Sequence, residues 1–264
     1  MELSIFQVDA FADKIFGGNP AAVIPLSGWL SAEMMQQLAM ENNLSETVFF
    51  VPSENKDHYD YEIRWFTPEV EINLCGHATL ASAFVLFNIM NFDAPVLRFH
   101  SKSGVLTVTK DNDLLSLDFP SWKPKELKEW HPDLSRALGN SHINTVHQYR
   151  DLLVELENEE MVKNCKPDFG LIKMIGEKII ITAKGSDADF VSRFFAPTAG
   201  IDEDPVTGSA NSQLIPYWSA KLGRSELYAK QLSKRGGQLW CRQEGERVII
   251  SGKCVFFMKG VITI

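Results

Sequence analysis

The sequence lacks any long apolar run, any cluster of basic charge and any closely spaced cysteine pair. A helix that crosses a bilayer needs about 20 consecutive apolar residues, and the longest runs here are shorter. The opening Met1-Glu2-Leu3-Ser4-Ile5 has neither the basic region nor the apolar stretch of a signal peptide. Both point to a cytoplasmic chain that does not enter membranes. The densest basic run is Lys234-Arg235 and the formal net charge is −8. Phosphate recognition needs a basic stripe, so nucleic acid is excluded as a partner. The four cysteines, at 75, 165, 241 and 254, contain no CxxC, and a chain this long can hold its core without disulfides. They are expected as reduced thiols. The six histidines are dispersed, with no HExxH and no paired Cys/His spacing, so no metal is expected. Gly17-Gly18-Asn19-Pro20 lacks the rest of a phosphate loop, so no nucleotide or other cofactor is expected either.

What is present is an ordinary globular balance, 45% hydrophobic and 23% charged over 264 residues, enough for one large domain or two of usual size. Strand-like segments bounded by Gly, Pro, Asn or Asp recur at 3–11, 21–25, 47–52, 59–66, 104–109 and 114–119. They return at 178–183, 238–242, 247–251 and 255–264. Helices are expected at 31–41, 76–90 and roughly 205–222, with Pro216 kinking or ending the last. Strands outnumber helices without strict alternation, which favours an α+β design. Residues 120–165 have the weakest pattern and the expected boundary.

An internal match divides the chain in half. Arg64-Trp65-Phe66-Thr67-Pro68, Ile72 and Cys75 are echoed by Arg193-Phe194-Phe195-Ala196-Pro197, Ile201 and Asp204, each offset by 129 (193 − 64). Such self-similarity implies two related domains, each with a strand, a loop and a helix start. Helix starts carry unsatisfied N–H groups and partial positive charge, so two of them facing one cleft would trap a carboxylate and stabilise a carbanion. Blander readings stand beside this. Asp204-Pro205 has the form of a helix cap, Cys75 that of a small buried residue, and His77, Thr207 and Ser209 that of ordinary polar positions. Glu46, before the apolar Val48-Phe49-Phe50-Val51, is either solvated or, if it faces the cleft, a desolvated general base.

Val8-Asp9-Ala10-Phe11, Gly18-Asn19-Pro20-Ala21-Ala22-Val23, Ser45-Glu46-Thr47 and Phe66-Thr67-Pro68 belong to a wider set of blocks. With them go Leu74-Cys75-Gly76-His77-Ala78-Thr79, Glu203-Asp204-Pro205-Val206-Thr207-Gly208-Ser209-Ala210 and Gln231-Leu232-Ser233. Together they resemble the PhzF-like phenazine-biosynthesis family, related in fold to diaminopimelate epimerase. The resemblance implies two pseudo-symmetric domains, each a curved mixed sheet around a central helix, with the active site between them. The corresponding boundaries are 1–118, joined by the final strand 255–264, and 119–254. It also implies cofactor-independent isomerisation of a small carboxylated metabolite, and a homodimer. Glu46 corresponds to the acid/base residue and Asp204 is its expected helper. Asn19, Cys75, Gly76, His77, Gly208 and Ser209 are the expected substrate contacts. Cys75 and Asp204 stand where the epimerases carry a cysteine pair, so a two-thiol mechanism is not available. The alternative is a non-catalytic binding or scaffold protein that keeps the cleft.

Overall fold

The computed structural model describes residues 1–264. The chain divides into two compact units, Met1–Asp118 with Ser251–Ile264, and Phe119–Ile250. The first unit contains β1 (Glu2–Ala10), β2 (Asn19–Pro25), α1 (Ala32–Asn42), β3 (Glu46–Pro52), β4 (Tyr61–Phe66) and β5 (Glu71–Ile72). It continues through α2 (Gly76–Asn88), β6 (Val96–Ser101), β7 (Gly104–Asp111) and β8 (Leu114–Pro120). The second holds β9 (Lys125–Glu126), α3 (Leu134–Ala137), β10 (Ile143–Gln148), β11 (Leu152–Leu156), α4 (Glu159–Asn164) and α5 (Phe169–Ile175). Then come β12 (Ile179–Lys184), β13 (Phe190–Ala196), a 3₁₀ turn (Pro197–Ala199), β14 (Ile201–Asp204), α6 (Asn211–Leu222), β15 (Glu226–Gln231), β16 (Gly237–Glu244) and β17 (Arg247–Gly252). The last strand, β18 (Cys254–Thr263), pairs antiparallel with β1.

In the first unit, β1 and β2 are antiparallel, β2 and β3 parallel, β3 and β4 antiparallel, and β4 and β6 parallel. Antiparallel β6–β7–β8 completes this mixed sheet. The parallel joins need crossovers, and α1 and α2 supply them. Ser31 caps α1 by accepting from the Met34 N–H at 3.1 Å, and Asn43 ends it in the left-handed region. Helix α2 is apolar on nearly every side, and of Gly76–Phe87 only Phe84 is not buried. A helix of that composition belongs inside a core, and α2 packs on β1, β2, β3 and β18. Its two buried hydroxyls are satisfied within the helix, Thr79 donating to the Cys75 carbonyl at 2.5 Å and Ser82 to the Ala78 carbonyl at 2.8 Å. Leu80, Val85 and Leu86 are fully buried, each worth roughly 1.5–3 kcal/mol relative to exposure.

The second unit repeats the scheme. Strands β10 and β11 are antiparallel, β11 and β12 parallel, β12 and β13 antiparallel, β13 and β15 parallel, and β15 and β16 antiparallel. Here α4 and α5 fill the first crossover and α6 the second. The expected helix at 205–222 is corrected: α6 begins at Asn211, and Asp204 ends β14 opposite Phe194. Pro216 does not end α6, which runs on to Leu222. The ring removes the N–H that would have met the Ser212 carbonyl, and the Trp122 N–H donates to that carbonyl instead at 2.8 Å. Strands at 96–101, 143–148, 152–156, 190–196 and 226–231 were not among the segments expected in full from the pattern.

Candidate active site

Parallel pairing of β2 with β3 sets Ala21 opposite Glu46, so Asn19 and Glu46 open neighbouring strands at the same end of the sheet. Gly18, just before Asn19, has φ +62°, and a Cβ there would lie 2.2 Å from the Ala10 carbonyl oxygen. Only glycine fits that turn. Helix α2 starts at the same place, and its N-cap, Cys75, makes no side-chain capping bond. The first N–H groups of α2 are therefore left for other partners.

His77 stands at the centre of this cluster. Its Nδ1 lies 3.1 Å from Asn19 Nδ2 and 3.5 Å from Cys75 Sγ. Its Nε2 lies 2.9 Å from Glu46 Oε2. That separation suits an ion pair, yet neither atom has an aligned hydrogen bond. Glu46, Cys75 and His77 are all buried, at 7%, 6% and 3% exposure. An ionisable group this enclosed is stable only with a partner.

Burial pushes the Cys75 thiol above its usual range, and the Glu46 charge pushes the same way. Burial alone would favour neutral imidazole at His77; the Cys75 sulfur and the Glu46 carboxylate oppose it and hold His77 well above the usual range. A thiol kept neutral lends little charge, so Glu46 is the neighbour that favours the imidazolium, a form that requires Asn19 to turn Oδ1 rather than Nδ2 toward Nδ1.

The carboxylate, thiol and imidazole ligand atoms lie within 4.8 Å of one another, a set that invites a metal. Their arrangement is a chain, however. The thiol meets Nδ1 and the carboxylate meets Nε2, so the ring separates them. One ion could not take all three groups while His77 keeps this orientation.

Asp204, Gly208 and Ser209 lie in the second unit. Asp204 is buried and accepts the Thr207 hydroxyl at 2.5 Å. It is not the N-cap of α6; that position is Ala210. The N–H groups of Asn211, Ser212 and Gln213 donate to the carbonyls of Gly208, Ser209 and Ala210, three residues back, and lead into the helix instead. The 204–207 segment is clamped from β15. Gln231 Oε1 accepts from the Thr207 N–H at 2.9 Å, and Gln231 Nε2 donates to the Asp204 carbonyl at 2.8 Å. Ser233 donates to the Pro205 carbonyl at 2.7 Å. The matched block at 231–233 thus has a positioning role that its residue types alone did not reveal.

Residues 8–260 match the PhzC-PhzF family, described as phenazine biosynthesis-like protein. An uncharacterized isomerase of Pseudomonas aeruginosa is 49% identical, with 99% of each chain covered. A crystal structure of a PhzF-family phenazine biosynthesis protein from Enterococcus faecalis has TM-score 0.96 and 46% identity over 100% of both chains. A predicted epimerase from P. aeruginosa has TM-score 0.75 at 18% identity, again over 100% of both chains, and shares the fold.

Proposed function

The chain belongs to the phenazine biosynthesis-like family, and on that premise we propose that it is an isomerase in which Glu46 moves a proton on a small carboxylated metabolite. The buried contact of Glu46 with His77 is the observation that supports this reading most. Glu46 takes a proton from a carbon beside a carboxylate or conjugated alkene and becomes the neutral acid. The electron pair left behind spreads into the substrate's conjugated system. The same proton returns from Glu46, on the same face, to a carbon further along the conjugated system; inversion at the original carbon would instead need a second acid, the part open to Asp204. Nothing is oxidised or reduced, so this step requires no redox cofactor. His77, as imidazolium, and the uncapped N–H groups at Gly76 oppose the developing negative charge. Asn19 and Cys75 contact the substrate around them, while Asp204, Gly208 and Ser209 keep the substrate role implied by the family pattern.

The test is exchange. Small carboxylic acids with an acidic C–H are incubated with the protein in D₂O and followed by NMR. Glu46→Gln keeps shape and removes the base, so deuterium uptake should fall roughly 100-fold or more. Saturable binding with no exchange for any acid would leave a binding protein in place of the enzyme.

A further inference from the structure

Arg150 precedes β11 in the second unit and is the cation that touches Ser209, with Nη2 donating to Ser209 Oγ at 3.1 Å. We propose that Arg150 binds the carboxylate of the substrate, at a subsite it forms with Ser209, and so determines which small acids are accepted. This deepens the function proposed above and rests on the substrate role given there to Ser209.

The side chain is fixed before any ligand arrives. Its Nε lies 3.0 Å from each oxygen of Asp151, whose carboxylate is 1% exposed, and Nη2 donates to Asp151 as well. The guanidinium carbon sits 4.8 Å from the Trp122 ring centroid, and Trp122 is stacked on Tyr149. The backbone is fixed too. Gln213 of α6, fully buried, accepts from the Arg150 N–H at 2.7 Å and the Asp151 N–H at 3.1 Å. Its amide nitrogen donates back to the Asp151 carbonyl at 3.2 Å.

Asp151 and Ser209 take both Nη2 hydrogens and leave Nη1 open. Asp151 takes the Nε/Nη2 edge, whereas Nη1 has no hydrogen-bond partner and the side chain is 36% exposed. Arg193 shows what a structural arginine looks like in the same unit. It spends Nε and Nη2 on Glu203 and Nη1 on the carbonyls of Val162 and Cys165. Arg150 instead leaves Nη1 unpaired and places its second Nη2 hydrogen on the Ser209 hydroxyl, so a carboxylate would meet Nη1 directly and share or displace the Ser209 contact at Nη2. Ordering a long side chain in advance removes part of the entropic cost of binding.

Benzoate and its uncharged isostere benzamide are the probes, titrated into the full-length protein by calorimetry. The wild type should bind benzoate at least about 10-fold more tightly than benzamide, the scale of one charge-assisted hydrogen bond. Arg150→Met should abolish that preference, and should melt lower because it leaves the buried Asp151 carboxylate without its cation. Arg150→Lys keeps the charge without the fork and should retain only part of it. Absence of benzoate binding to the wild type would overturn the proposal, as would a preference that survives in Arg150→Met. Should Arg150→Met not fold, Arg150→Lys decides: a full preference overturns the subsite and a reduced one supports it. Glu46→Gln separates the two ideas. If no acid exchanges deuterium but benzoate binding still depends on Arg150, the anion subsite stands and the isomerase reading falls. If exchange depends on Glu46 while benzoate ignores Arg150, only the subsite falls.

Discussion

His77 shows how little of a site's electrostatics can be read from residue types. Glu46 was legible as a carboxylate at the head of an apolar strand, and His77 as a polar residue at a helix start. Their contact was not, because it depends on the parallel register that sets Ala21 beside Glu46. Arg150 gave no sign at all, since its role depends on Gln213 and Ser209, some 60 residues away in sequence. The His77 contact carries a pH signature. A folded-state pKa above the unfolded value of about 6.5 contributes stability that is fully present below that pH and lost as pH rises through the folded value. Wild-type stability relative to His77→Asn should therefore be greatest near pH 6 and decline toward pH 9, measured by urea unfolding at each pH. Parallel curves for the two proteins would mean that His77 is not held charged by Glu46.

Among the elements, the 129-residue match located the duplicated strand but misplaced the segment after it. Arg64 and Arg193 keep the offset, and each makes a two-pronged bond across its strand pair, to Glu71 at 2.8 and 2.9 Å and to Glu203 at 2.7 and 2.9 Å. The acids do not keep it, being 132 apart (203 − 71). The 3₁₀ turn at 197–199 and a bulge after Phe195 lengthen the second loop. Trp65 consequently faces Ile72, while Ile201 faces Ala196, and Asp204 stays in a strand rather than opening a helix. Asp204 therefore lies outside the field of a helix start. The Arg64 bond holds Glu71 at about 2, well below its ordinary value. A depressed carboxylate contributes stability present above about 4.3 and lost as pH falls toward the folded value. The stability gap between wild type and Glu71→Gln should thus close between pH 5 and pH 2; a constant gap would rule out this coupling. Gly18→Ala tests the turn that presents Asn19. The added methyl meets the Ala10 carbonyl, so the variant should melt several degrees lower, consistent with strain of about 1–3 kcal/mol, and an unchanged melt would show that the loop relaxes freely.

At the scale of the whole molecule, the two units share an order of strand directions that no local pattern displays: parallel, antiparallel, parallel, antiparallel, with crossover helices at the same two points. Fold class was legible because strands outnumbered helices and the motif recurred. Residues 120–165 were hard to read because β11 is an apolar run interrupted by Glu155, whose charge suggests surface although it is buried. Its partners Lys221 and Tyr217 come from α6, far along the chain. The last strand ties the end of the chain to its beginning. From Ala10 opposite Cys254 to Glu2 opposite Thr263, β18 covers the whole of β1, and Ala12 donates to the Lys253 carbonyl at 3.0 Å. Without β18, β1 becomes an open edge carrying the buried side chains Leu3, Ile5, Phe6 and Val8, which is both unstable and prone to pair with other chains. A protein stopped after Gly252 should therefore lose amide protection in β1 and β2 by hydrogen exchange, and should aggregate on warming. Strand β12 has its own partners, β11 and β13, and lies in a core built from the second unit alone, so its amides should remain protected. Equal loss in β12 would mean that the second unit does not hold its fold without the first, and full protection in β1 would mean that β18 is dispensable.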